Sequence, residues 1–186
     1  SPGTIDLANS DYIFDGEASN DQAGYSVASA GDVDDDGLAD LLIGAPQNSE
    51  FAVYGGKSYL ILGASLGSNS AISLAQADYT FTGESDFDNA GQAVSSAGDI
   101  DGDGRDDILI GAPSSDNAGT NSGTAYVVLA SSLTSPTIAL SNADYTFDGE
   151  SSFDSAGTGV ASAGDVDGDG LKDLLIGSNT TGIGGT

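Results

Sequence analysis

Apolar residues along this chain come in short bursts separated by Gly, Ser, Asn, Asp and Pro. "DLLIG" from Asp40, "DILIG" from Asp107 and "DLLIG" from Asp173 are unbroken apolar runs, the pattern of a strand buried on both faces. Before each lies a run of small residues with period-two alternation, "GYSVASA" from Gly24, with copies from Gly91 and Gly157. After the first two comes "SYLIL" or "AYVVL", rich in aromatic and β-branched residues as strands are. A fourth strand is predicted over "AISLAQADYTF" and its copies, within which "SLAQAD" offers one helical turn at most. The intervening Gly, Ser, Asn and Pro supply the turn chemistry that strands require. No segment carries a sustained helical period.

These bursts repeat. "GDVDDDGLADLLIGAP" begins at Gly31, "GDIDGDGRDDILIGAP" at Gly98 and "GDVDGDGLKDLLIGSN" at Gly164, offsets of 67 and 66 residues. "DYIFDGE", "DYTFTGE" and "DYTFDGE" keep step from Asp11, Asp78 and Asp144. The units run over approximately 1–67, 68–134 and 135–186, the last incomplete, within one segment spanning 1–186. A repeated unit of four antiparallel strands is read as a blade of an all-β propeller, because a lone blade cannot bury both of its faces. Propellers take ~4 to 8 blades, and this sequence supplies about two and part of a third. The expectation is a piece of a longer chain, with completion of the ring by partner chains as the other route.

Charge narrows the partners. Formal net charge is -26, and the only basic residues are Lys57, Arg105 and Lys172. Nucleic acid is excluded as a partner, since phosphate contacts need Lys and Arg. An anionic membrane surface is disfavoured for the same reason. No run approaches the ~20 apolar residues of a membrane helix, so no direct insertion is expected. The opening "SPGTIDLANS" has neither the basic start nor the apolar run of a signal peptide, which fits a mature or excised piece. Cys and His are absent, which removes disulfides, thiolate nucleophiles, the commonest general base and the soft metal ligands.

The acidity is concentrated where it is hardest to tolerate. "GDIDGDGRDD" packs five carboxylates and one cation into ten residues. The spacing D-x-D-x-D-G-x-x-D selects Asp32, Asp34, Asp36 and Asp40, then Asp99, Asp101, Asp103 and Asp107, then Asp165, Asp167, Asp169 and Asp173. Alternate residues of a tight turn turn their carboxylates inward, and Gly37, Gly104 and Gly170 stand where the chain must bend sharply. The following residue (Leu38, Arg105 or Leu171) offers a backbone carbonyl. Such a set is all hard oxygen, near the 6 to 8 ligands of Ca²⁺ once water is added. A divalent cation converts the repulsion among these carboxylates into attraction. Three calcium sites are expected. An EF-hand is not, because its twelfth position needs a bidentate Glu and here holds Ile43, Ile110 and Ile176.

Turn, ligands and following strand together resemble the FG-GAP repeat, found in the N-terminal propeller of integrin α subunits and in many secreted bacterial proteins. "GAP" stands at Gly44-Ala45-Pro46 and Gly111-Ala112-Pro113. The resemblance implies Ca²⁺ in the loops and a ring of about seven blades, within the range propellers take. The Phe-Gly of the family is Ala-Gly here, at Ala23-Gly24, Ala90-Gly91 and Ala156-Gly157, and the third unit has Gly177-Ser178-Asn179 in place of GAP. Arg-Gly-Asp is absent, so no integrin ligand specificity is carried over.

Catalytic patterns are missing. Glu17, Glu84 and Glu150 recur once per unit, which suits a turn or backbone-capping role better than paired-carboxylate hydrolysis. Tyr12, Tyr79 and Tyr145 recur in phase and read as packing residues. Asn179-Thr180-Thr181 is a glycosylation sequon. The reading is a non-enzymatic, extracellular calcium-binding propeller module for adhesion, ligand binding or surface assembly. Its partners would be protein or carbohydrate, or further copies of itself. Connections such as "APSSDNAGTNSGT" would be its variable surfaces. The other reading is a propeller attached to a secreted enzyme, for example one acting on polysaccharide.

Overall fold

A computed structural model describes residues 6–67 and 70–179. Thirteen strands and five single 3-10 turns account for the regular structure, with no α-helix among the described residues. The strands are β1 (Ile13–Asp15), β2 (Ser26–Gly31), β3 (Asp40–Ala45), β4 (Lys57–Ile61), β5 (Ala71–Ser73), β6 (Tyr79–Thr82) and β7 (Ala93–Gly98). They continue as β8 (Asp107–Ala112), β9 (Thr124–Val128), β10 (Thr137–Ala139), β11 (Tyr145–Asp148), β12 (Gly159–Gly164) and β13 (Asp173–Gly177).

β2, β3, β4 and β6 pair antiparallel in that order to make one blade. β7, β8, β9 and β11 make the next in the same way. β12 and β13 are the antiparallel inner pair of a third. The chain is therefore a partial β-propeller of two complete blades and part of another. Each inner hairpin has a register shift at its loop end, between Ser29 and Gly31, Ser96 and Gly98, and Ser162 and Gly164. Such bulges sharpen the local twist as the chain enters the acidic loop.

The predicted fourth strand is in fact two. β5 and β6 are separated by a 3-10 turn, Leu74–Gln76, in which the Ser73 hydroxyl accepts from the Ala75 N–H. β6 closes its own blade, while β5 lies parallel to β1. β10 likewise pairs in parallel with β6 of the preceding blade, Thr137 opposite Thr80. Leu74 and Leu140, in the two turns, are buried. A continuous strand would have had to choose between these two sets of partners. Within the second and third sequence units, β6 and β11 respectively close the blade begun in the unit before.

The core lies between blades. Leu42, Leu60 and Phe81 on one face of the first blade pack with Val94, Ile108, Ile110, Tyr126 and Val128 of the second. The next seam repeats this with Ala97, Leu109 and Val127 against Val160, Leu174 and Ile176. Close approach is set by glycine: a Cβ on Gly44 would sit 2.0 Å from the Gly91 carbonyl oxygen, and one on Gly111 2.0 Å from that of Gly157. The in-phase tyrosines do not all pack as expected. Tyr12 and Tyr145 are half exposed and Tyr79 is partly buried, whereas the fully buried tyrosines are Tyr59 and Tyr126 of the third strands.

Candidate metal centres

Each acidic loop joins the two inner strands of its blade, and each is held by its own carboxylates. Asp99 accepts N–H bonds from Gly102 at 2.7 Å and Gly104 at 3.0 Å, one on each oxygen. Asp165 does the same for Gly168 and Gly170, at 2.7 and 3.0 Å. Asp32 takes Asp36 and Gly37, at 3.1 and 2.9 Å. The sharp bend falls where glycine was expected, with φ of 87°, 92° and 95° at Gly37, Gly104 and Gly170. In the first loop a second left-handed position is Asp35, where the later loops have Gly102 and Gly168.

Three trios of carboxylates converge: Asp32, Asp34 and Asp36; Asp99, Asp101 and Asp107; Asp165, Asp167 and Asp173. Within each, one oxygen per residue lies within 4.8 Å of the others. Asp40, Asp103 and Asp169 stand outside these trios. Asp40 is fully buried: Oδ2 accepts from Val33 N–H at 2.9 Å and Oδ1 from Gly63 N–H at 2.7 Å. Asp107 makes the same span, to Ile100 at 3.0 Å and Ala130 at 2.9 Å, and Asp173 takes Val166 at 2.6 Å. The fourth aspartate thus staples the loop and, in the two complete blades, also the end of the third strand. Burial pushes the carboxyl pKa of Asp40 and of Asp107 above the ordinary carboxylate value, against these backbone bonds.

Asp36, Asp103 and Asp169 each accept the N–H of the residue two ahead, Leu38, Arg105 or Leu171, at 2.7 to 2.9 Å. Asp103 is further engaged by the Arg105 guanidinium, with Nε at 3.1 Å and Nη2 closer still, and this bonding holds its carboxyl below the usual value. The only cation inside any of the three trios' loops, apart from Lys172, is therefore turned onto the aspartate that its trio leaves out.

Adjacent loops are joined. Asp106 N–H donates to the Asp32 carbonyl at 3.0 Å, and Asp32 N–H donates back to Asp106 Oδ2 at 2.9 Å. Lys172 N–H donates to the Asp99 carbonyl at 3.1 Å. Sequence reasoning missed this joint because Ala39, Asp106 and Lys172 share no side-chain chemistry; the shared donor is the backbone.

At the opposite ends of the strands a polar cluster surrounds Lys57. Its buried ammonium donates to Glu17 at 2.9 Å and Glu50 at 2.7 Å and lies 5.3 Å from the centre of the Tyr59 ring. Asn48 bridges to Asp21 at 2.8 Å. Glu17 serves a buried ion pair, not the backbone cap expected for it. In the second blade Thr124 replaces Lys57, donating to Asp148 at 2.7 Å, and Glu84 stands against the Tyr126 hydroxyl. Ser115 and Ser122, in the connection read as variable surface, are fully buried. Asn179 is exposed, while Thr180 and Thr181 of its sequon lie outside the described residues. None of the described helical turns is long and apolar enough to cross a membrane.

Fold and loops together define a class: propeller blades whose inner hairpins each carry a cluster of carboxylates. Comparison with known proteins places that class. The FG-GAP repeat family model matches residues 23–61 and 90–128, so the chain carries two FG-GAP repeats and resembles the integrin α propeller. Similar proteins include integrin alpha-5 of Xenopus laevis, 40% identical over 108 residues that cover 55% of this chain and 10% of the relative. Integrin alpha-PS5 of Drosophila melanogaster is 29% identical over 169 residues, covering 90% of this chain and 16% of the relative. Integrin alpha-8 of Gallus gallus is 34% identical over 121 residues, covering 60% and 11%. The chain spans about a tenth to a sixth of the length of these relatives.

Proposed function

We propose that the chain is a calcium-stabilised propeller segment of an extracellular protein, non-catalytic, that presents its connections to a ligand in adhesion or surface assembly. The observation that carries this is the carboxylate trio, repeated in three equivalent loops. Ligands at 2.3–2.6 Å from one calcium ion stand no more than about 4.6–5.2 Å apart, and the trios meet that limit. The donor set is all carboxylate oxygen, which suits a hard cation.

Asp32, Asp34 and Asp36, Asp99, Asp101 and Asp107, and Asp165, Asp167 and Asp173 would supply the carboxylates. Asp40, Asp103 and Asp169, with the carbonyls of Leu38, Arg105 and Leu171, complete the expected set. Bound Ca²⁺ supplies positive charge that offsets repulsion among aspartates held close by their own turns. The residues themselves fix the hairpin, and through Asp40 and Asp107 they fix the end of the third strand. Extracellular modules bind at ~10⁻⁴ to 10⁻³ M, which matches a setting where free calcium is high. The integrin α relatives support the cell-surface reading, and their kinship is with a non-enzymatic role.

The test is a calcium titration with calorimetric melting. Binding only to the folded state stabilises it by about 2.7 kcal/mol per site at a hundredfold excess over Kd. Excess EDTA should lower the Tm by well over ten degrees. An identical melt with and without chelator would overturn the reading.

A further inference from the structure

One position of the acidic hairpin changes charge from unit to unit. It is the residue just before the fourth aspartate: Ala39, Asp106 and Lys172. In the chain's two seams this residue reaches the loop of the preceding blade. A Cβ on Gly31 would collide with the Asp106 carboxylate, and one on Gly98 would stand 2.5 Å from Lys172 Cγ. At Gly164, the same place in the third loop, a Cβ would meet nothing within 4 Å. The bare backbone of Gly31 and Gly98 therefore makes the groove in which a neighbour's side chain lies.

The two neighbours bring opposite charges. Asp106 is partly buried; its Oδ2 accepts the Asp32 N–H at 2.9 Å, and its own N–H donates to the Asp32 carbonyl at 3.0 Å. The carboxylate is thus clipped to the first aspartate of the first trio. A Lys side chain has no acceptor to offer, and the next seam keeps only the main-chain bond, from Lys172 N–H to the Asp99 carbonyl at 3.1 Å. Asp99 leads the second trio. Lys172 is exposed and makes no ion pair among the described residues, so no carboxylate in contact cancels its charge. Arg105, by contrast, is turned onto Asp103 of its own loop.

We infer that the residue before the fourth aspartate sets the cation affinity of the loop in the preceding blade. Asp106 tightens the first loop's hold on a divalent cation, and Lys172 loosens the second's. Neither side chain acts as a ligand; its charge acts through space. One unit charge about 8–10 Å from a divalent ion changes its binding roughly four- to sixfold even at the dielectric constant of water. This rests on the calcium reading proposed above and adds an order to it: the first loop fills before the second.

The experiment is an NMR calcium titration of the 186-residue chain at about 0.01 M ionic strength, where charges act over ~30 Å. The amides of Gly37, Gly104 and Gly170 report the three loops separately. Gly37 should reach its midpoint at lower calcium than Gly104. Asp106→Asn keeps an acceptor for the Asp32 N–H and loses the charge. It should raise the Gly37 midpoint roughly fivefold, and by more than it moves Gly104. Lys172→Gln should lower the Gly104 midpoint by a similar factor, and by more than it moves Gly170. Both changes should shrink in about 1 M NaCl, where the screening length is ~3 Å, whereas a merely structural effect would persist. Calcium shifts in all three loops whose midpoints neither variant moves would overturn this inference and leave the calcium reading standing. So would a second loop that fills before the first, larger changes in the variant's own loop, or changes that survive high salt. No calcium shift in any loop of the parent chain would overturn both.

Discussion

Lys57 shows what one residue does when it departs from its repeat. Where the second blade has Thr124, the first buries an ammonium between Glu17 and Glu50. Lys57→Met would leave Glu17 largely buried without its partner. Glu50 is half exposed and screened by water, so the loss should fall below the about 3–5 kcal/mol expected of a fully buried pair; urea denaturation would measure it. Burial alone opposes the charge on Lys57, yet hydrogen bonds to Glu50 and Glu17 outweigh it and hold the pKa above 10.5. Burial, followed by the Glu17 charge, raises the Tyr59 hydroxyl, and burial, followed by the Glu84 hydrogen bond, raises Tyr126. All three groups titrate higher in the folded state. Their contribution is complete below the unfolded-state values of 10.0 and 10.5 and is lost as pH rises through the folded ones. Melts taken from about pH 8 to about pH 11 should fall steeply only above about pH 10, and Tyr59→Phe should flatten part of the fall.

Among elements, the glycines of the third-from-last position in each GAP-type run separate local from neighbour effects. Gly111→Ala drives a Cβ to 2.0 Å from a backbone oxygen of the next blade. It should cost at least the roughly 1–3 kcal/mol of an overpacked core. Gly177, at the same place in the third unit, has 3.3 Å of clearance, and Gly177→Ala should cost markedly less in the same denaturation assay. Gly104→Ala meets no atom within 4 Å but sits at φ 92°, so its penalty is conformational, about 1–2 kcal/mol. The strands themselves were legible because "DILIG" and "AYVVL" carry their burial in their composition. The carboxylate turn was legible because its ligand spacing and its Gly recur together. The division of "AISLAQADYTF" was not, since β5 and β6 differ in partner and not in pattern. Nor was the burial of Asp40: spacing cannot say that its oxygens accept from the N–H groups of Val33 and Gly63.

At the scale of the molecule, stability is distributed along seams, with each blade's hydrophobic face completed by its neighbour. Val27 is 68% exposed where its counterpart Val94 is 7%, and Leu175 is 62% exposed where Leu109 is fully covered. The middle blade, flanked on both faces, should be the last to open. Amide hydrogen exchange should protect β8 and β9 most and β12 and β13 least. The joint between acidic turns, Asp106 to Asp32 and Lys172 to Asp99, uses main-chain atoms for its recurrent bond. The second unit therefore brings a donor for the unit before it and an acceptor for the unit after it. A gene that duplicates one unit whole inherits a working connector at each border, so such arrays can lengthen without inventing a new junction.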